Sequence, residues 1–118
     1  MTDTFENLYA PALKAVFTEQ ARQQMAQGTE AWSAAQIYAE QGKPDFTLAF
    51  LLLIEQTEET KREMLAHAYE RRAVLAEEKA SDFSRQFHRP FPLMKLEARR
   101  DRQAAQAVRQ GQPIPARN

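Results

Sequence analysis

Asp45-Phe46-Thr47-Leu48-Ala49-Phe50-Leu51-Leu52-Leu53-Ile54-Glu55-Gln56 is the stretch whose reading decides the fold. Phe46, Ala49, Phe50 and the run Leu51 to Ile54 leave no polar stripe along most of its length. Such a segment is either a buried strand or a helix surrounded by protein. Its flanks, Asp45 and Glu55-Gln56, lack turn residues, and Leu and Ala favour helix. The expectation is a helix over 46–56, capped by Asp45, lying at the centre and covered on every side. Its apolar core, Leu48 to Ile54, is far too short to cross a bilayer, so no membrane partner is expected.

Composition agrees with an all-α chain. Only three of the 118 residues are glycine, and the good helix formers Ala, Glu, Gln, Arg, Leu and Lys dominate. The absence of cysteine excludes disulfides, thiolate zinc sites and cysteine nucleophiles. The start, Met1 to Glu6, carries acids and no basic region, unlike a signal peptide. A soluble, cytoplasmic domain over residues 1–110 is expected, followed by a flexible tail at 111–118.

Working outward, Leu8, Leu13, Val16, Phe17, Ala21 and Met25 make a helical stripe interrupted by Pro11, so a helix is expected over 11–27, ending at Gly28. A second spans 29–41, from a Thr29 cap to Gly42. Beyond the central segment, Met64, Leu65, Ala68, Tyr69, Arg72, Leu75 and Phe83 continue a helical pattern, and a break near Thr57–Thr60 starts a long helix over 60–86. Phe87-His88-Arg89-Pro90-Phe91-Pro92 is a connector, because two prolines forbid a regular helix there. Leu93 to Arg109 is a weakly amphipathic helix that lies across the bundle or projects from it. The fold expected is a compact bundle of four to five helices. Its predicted core is Leu13, Val16, Phe17, Trp32, Ile37, Phe50, Leu53, Ile54, Leu65 and Leu75.

Ala34 to Gly42, with Trp32 ahead of it, resembles the first helix and turn of a tetratricopeptide repeat, and Leu65 to Arg72 resembles a second. The tyrosines Tyr38 and Tyr69 are 31 residues apart, against about 34 for that repeat. The resemblance implies helical-hairpin packing.

The charge is unevenly spread. Residues 1–60 hold three basic and nine acidic residues, a net of −6, and residues 61–118 hold thirteen basic and seven acidic ones, a net of +6. Within one fold or across a dimer these halves complement one another. Glu59, Glu63, His67 and Glu70 share a helical face of the kind that ligates metal in bundles. The chain has only one other histidine, His88, so the expectation is a solvated face and no metal. No Gly-x-Ser-x-Gly, Gly-x-Gly or Gly-Lys-Ser/Thr occurs, and no base, nucleophile and orienting group come together in the pattern. No catalytic residue, no enzyme activity and no cofactor is therefore expected.

The strongest positive signal is basic. After residue 84, Arg85, Arg89, Lys95, Arg99, Arg100, Arg102, Arg109 and Arg117 face only Glu97 and Asp101, with Phe87, His88 and Phe91 interleaved. Arginines grip carboxylates and phosphates, and aromatics offer flat contact area. Arg85, Phe87, His88, Arg89, Phe91, Lys95, Arg99, Arg100 and Arg102 form the candidate partner-binding set. The expected role is a non-catalytic protein–protein interaction module that forms a homo-oligomer. Nucleic acid bound by residues 85–109 is the second reading, and a metal- or ligand-binding bundle the third. The chain's zero net charge argues against a dedicated nucleic-acid binder.

Overall fold

Pro11 divides the N-terminal apolar stripe in the computed structural model, which describes Thr4–Ala116. Helix α1 (Phe5–Tyr9) begins at Thr4, whose hydroxyl accepts from the Asn7 amide at 3.1 Å. Ala10–Ala12 form one 3-10 turn containing Pro11, and Leu13 is extended. Helix α2 (Ala15–Ala26) starts beyond it. The helix expected over 11–27 thus begins only at Ala15, and the residues before Pro11 form a short helix of their own. Helix α3 (Ala31–Glu40) starts two residues later than expected, because Glu30 rather than Thr29 caps it. The Glu30 carboxylate accepts from the Trp32 and Ser33 amides at 3.1 and 2.9 Å. The Ser33 hydroxyl and these amides hold its pKa below the usual glutamate value.

The decisive segment is helical. In α4 (Pro44–Leu51), Thr47, Ala49, Phe50 and Leu51 have no exposed surface. The helix is shorter than 46–56, since Leu52 to Ile54 turn away half-buried. Asp45 sits in the first turn and does not cap, because Pro44 takes the opening position that its fixed φ suits. The Thr47 hydroxyl donates to the Lys43 carbonyl at 2.9 Å.

A break at Thr57 precedes α5 (Glu58–Phe87), whose 30 residues span about 45 Å. The Thr57 hydroxyl accepts from the Thr60 amide at 3.1 Å, and Glu58 and Glu59 favour the positive helix start. His88 ends α5 in the left-handed conformation at φ 55°, and Pro92 opens α6 (Pro92–Arg109). Among the described residues there are six α-helices and no strand, and no helix is long and apolar enough to cross a membrane.

Helices α5 and α6 make the largest helix contact of the fold. Helix α6 neither crosses the bundle nor leaves it. It runs back along α5 as the second arm of a hairpin. Its alanines, expected to give a weak face, are the face: Ala98, Ala104, Ala105 and Val108 are buried. Opposite them Ala66, Ala73 and Ala80 are buried at steps of seven. A seven-residue spacing keeps one seam against the neighbouring helix, and small side chains let the backbones approach closely.

Helices α1 to α4 form a head over the inner end of this hairpin. Phe5, Tyr9, Ala34, Ala35, Leu48, Phe50 and Leu51 pack with Leu65 and Ala66 of α5 and with Ala105 and Val108 of α6. Phe17, Phe46, Tyr38 and Phe50 follow one another at ring separations of 5.0, 4.9 and 5.8 Å. Of the predicted core, Phe50 and Leu65 are buried, whereas Leu13, Phe17, Trp32, Leu53 and Ile54 are half-buried. Val16, Ile37 and Leu75 are exposed at 55, 56 and 39%. In α2 and α3 the inward side is taken by Ala21, Ala31, Ala34, Ala35 and Ala39 instead.

The expected flexible tail is tied back over its first residues. The Tyr9 hydroxyl donates to the Gln112 carbonyl at 2.7 Å, and Ile114 packs against the core. Arg117 and Asn118 lie outside the described residues.

The α3–α4 turn is pinned to α5 by Gly42. At φ +68°, a Cβ there would lie 2.9 Å from the Arg72 backbone. Gly42→Ala is expected to cost about 3 kcal/mol, combining left-handed strain with overpacking. Gly28→Ala, at φ +97° with nothing within 4 Å, should cost only about 1 kcal/mol. Urea unfolding of the two variants measures the difference.

Candidate functional site

The core cluster reaches along α5 only to Tyr69 and along α6 only back to Ala105, and Gly42 abuts Leu75 just beyond. The remainder of α5 and α6 is an arm two helices thick. All nine predicted site residues lie on this arm, but they do not form one site.

One flank of the hairpin is an ion-pair ladder. Glu63, Glu70 and Glu77 recur every seven residues on α5, as do Lys95, Arg102 and Arg109 on α6. Arg109 donates from Nε to both Glu63 carboxylate oxygens at 3.1 Å and also pairs with Glu70. Arg102 pairs with Glu77. These carboxylates hold the Arg102 and Arg109 pKa values above the ordinary arginine value. In return, the hydrogen bond from Arg109 holds Glu63 below the usual carboxylate value. The ladder stops at Lys95, because the next α5 position at this spacing is Ser84.

Between the helices, Asp101 is 2% exposed and takes a two-pronged grip from Arg72, with Nε at 2.9 Å and Nη2 at 2.8 Å. Burial lowers the Arg72 pKa, but the hydrogen bond and charge of Asp101 outweigh it and raise the value. Arg100 pairs with Glu97 at 3.4 Å, and Arg85 pairs with Asp82. Arg89, Lys95 and Arg99 are exposed and, among the described residues, have no carboxylate partner.

The tip is aromatic. Phe83, Phe87 and Phe91 contact one another at ring separations of 5.6 to 6.1 Å, and the Arg89 guanidinium sits 5.2 Å from the Phe91 ring centre. Phe87 remains 52% exposed. His88 serves as the left-handed cap of α5. The sequence reading put Leu75 in the core and left Leu93 and Leu96 out of the contact set; the three are 39, 75 and 37% exposed on the arm. A groove of about 570 Å³ is lined by Arg72, Leu75, Ala76, Lys79, Leu93, Met94 and Glu97. Leu93 was legible as the first large apolar residue after two prolines, on a helix whose own seam is made of alanine.

The acidic face weighed for metal is otherwise engaged. Glu63 and Glu70 hold Arg109, and His67 pairs with Glu40. Among the described residues no three His, Cys, Asp or Glu side chains gather as a metal site would need.

Comparison with known protein families, curated proteins and solved structures finds no match for this chain. Helices α3 and α4 do form a helical hairpin, as the tetratricopeptide-like segment implies. The second such segment, Leu65–Arg72, lies inside α5, with no turn until His88.

Because Glu63 has a lowered pKa in the folded state, its contribution is complete above the unfolded value of about 4.5 and is lost as pH falls through the lower folded value. Glu63→Gln should therefore lose less stability than the parent chain between about pH 5 and pH 3. Thermal unfolding across that range reads the difference. The effect is modest, because the pair is largely exposed.

Proposed function

We propose that this protein is a non-catalytic protein–protein interaction module whose contact surface is the α5–α6 arm. One observation carries the reading. Arg89, Lys95 and Arg99 are exposed without carboxylate partners among the described residues, and Phe87, Leu93 and Leu96 are exposed on the same two-helix arm. Apolar side chains rimmed by cations fit an acidic protein surface. The apolar residues supply burial, and the cations supply orientation and encounter rate.

Nucleic acid is the weaker reading. Arg85, Arg100, Arg102 and Arg109 all meet carboxylates within the chain, which leaves few cations for phosphates. Neutralising phosphates in number is what makes such binding strong.

The test uses Lys95→Glu with Arg99→Glu, which breaks no ion pair seen among the described residues. The folded chain is used to capture partners from its native cell, and its binding to duplex DNA and single-stranded RNA is titrated at low salt. The expected result is a protein partner whose retention drops at least tenfold in the double variant, with no nucleic-acid binding. Salt-sensitive nucleic-acid binding abolished by the same changes would move the function to the second reading. No partner of either kind would end the first.

A further inference from the structure

Leu65, Ala68, Arg72, Leu75 and Lys79 fall at alternating steps of three and four, which is one continuous stripe along α5. Leu65 and Ala68 are buried at its inner end, and Gly42 touches Arg72 and Leu75 in the middle. Past Leu75 the same stripe is bare, and with Ala76, Leu93 and Met94 it lines the arm's groove. The core-facing side of α5 thus runs out beyond the part of the chain that covers it. Leu93, at 75% exposed, has no place in this chain's own core.

We propose that a second copy of the chain fills this groove, arm against arm in antiparallel order, so that each tip meets the partner's α3–α4 turn. The inference rests on the arm being a contact surface and names its occupant. Length is compatible with it: from Leu75 to Phe87 is 12 residues, or about 18 Å of helix, so the uncovered part of each arm can lie along the whole of the other's. A two-fold axis through the contact sets the same stripe of each copy against the other's. Charge sets the direction. At the inner end stands Asp45, exposed and in no ion pair among the described residues, on a head half whose net charge is −6. Asp45 is close enough to Arg72 to help raise its pKa. At the outer end stands Arg89, exposed and without a carboxylate partner among the described residues. Antiparallel arms bring Arg89 of one copy to Asp45 of the other, whereas parallel arms would set turn against turn and tip against tip. Like charges facing one another select against the second arrangement.

The chain has no cysteine, so introduced thiols report the arrangement directly. Asp45→Cys and Arg89→Cys are made as separate proteins, mixed, and treated with a short thiol-reactive cross-linker. The mixture should give several-fold more cross-linked dimer than either protein alone. Sedimentation should show the parent chain as a dimer. Leu93→Glu should raise its dissociation constant more than tenfold while leaving the helical signal unchanged and, at concentrations where both proteins are monomeric, the unfolding midpoint unchanged, because Leu93 is largely exposed within one chain. A parent chain that stays monomeric at its highest attainable concentration overturns the proposal. So does a dimer indifferent to Leu93→Glu, or cross-linking as efficient within each single variant as in the mixture. A monomer that still loses a foreign partner on Lys95→Glu with Arg99→Glu would remove the second copy and leave the interaction module standing.

Discussion

The closeness of α5 to α6 is the constraint on which the rest of the molecule depends. It is set by what is missing from the seam. Ala66, Ala73 and Ala80 face the α6 side of the hairpin, and Ala98, Ala104 and Ala105 face back. Each supplies little burial by itself, but together they let two backbones lie side by side over many turns. Enlarging one of them would push the helices apart and cost about 1–3 kcal/mol, comparable to what a single large core residue contributes. Asp101, buried in the same seam and gripped by Arg72, gives it register. Sliding α6 by one heptad would carry the carboxylate away from its guanidinium and leave a buried charge unanswered, which is far costlier than any mismatch among alanines.

The head is organised by that hairpin. Helix α4 is sealed because it lies between α3 and the inner end of α5, with the aromatic series from Phe17 to Phe50 filling the space beside it. The turn before it can sit flat on α5 only because residue 42 has no side chain. The acidic and basic halves of the chain meet at the head, where Glu40 pairs with His67 and Arg71, whereas the pairs along the hairpin flank join residues of the second half to one another. Within a segment that looks like a cationic tail in one dimension, Arg102 and Arg109 belong to an internal ladder in three, and Arg85 and Arg100 pair with acids of their own helices.

This explains which features were legible in the sequence. Helical class, the buried centre at Thr47–Leu51, the break at Thr57 and the turn at residues 88–91 all rest on local chemistry: apolar content, capping hydroxyls and prolines. What failed rests on neighbours. Val16 and Ile37 are apolar and on the right period, yet nothing packs against their side of α2 and α3. The α6 face was undervalued because alanine counts as weakly apolar, although its seven-residue recurrence marks a close seam. Of the candidate contacts, Arg100 and Arg102 turned out to be held by Glu97 and Glu77, because the pairing acids lie 3 and 25 residues away, and the second kind of separation has no signature in a single chain. Arg89, Lys95 and Arg99 are exposed and have no carboxylate partner among the described residues.

The left-handed cap at His88 has a consequence for how the molecule assembles. It joins two helices through the shortest of links, so the pairs nearest the turn, beginning with Phe83 and Phe91, close the smallest loops and lose the least chain entropy. Each further turn of contact then lengthens the zipped region by only a few residues. Loop-closure entropy therefore favours the α5–α6 hairpin over the contacts between the head and the hairpin, which close longer loops.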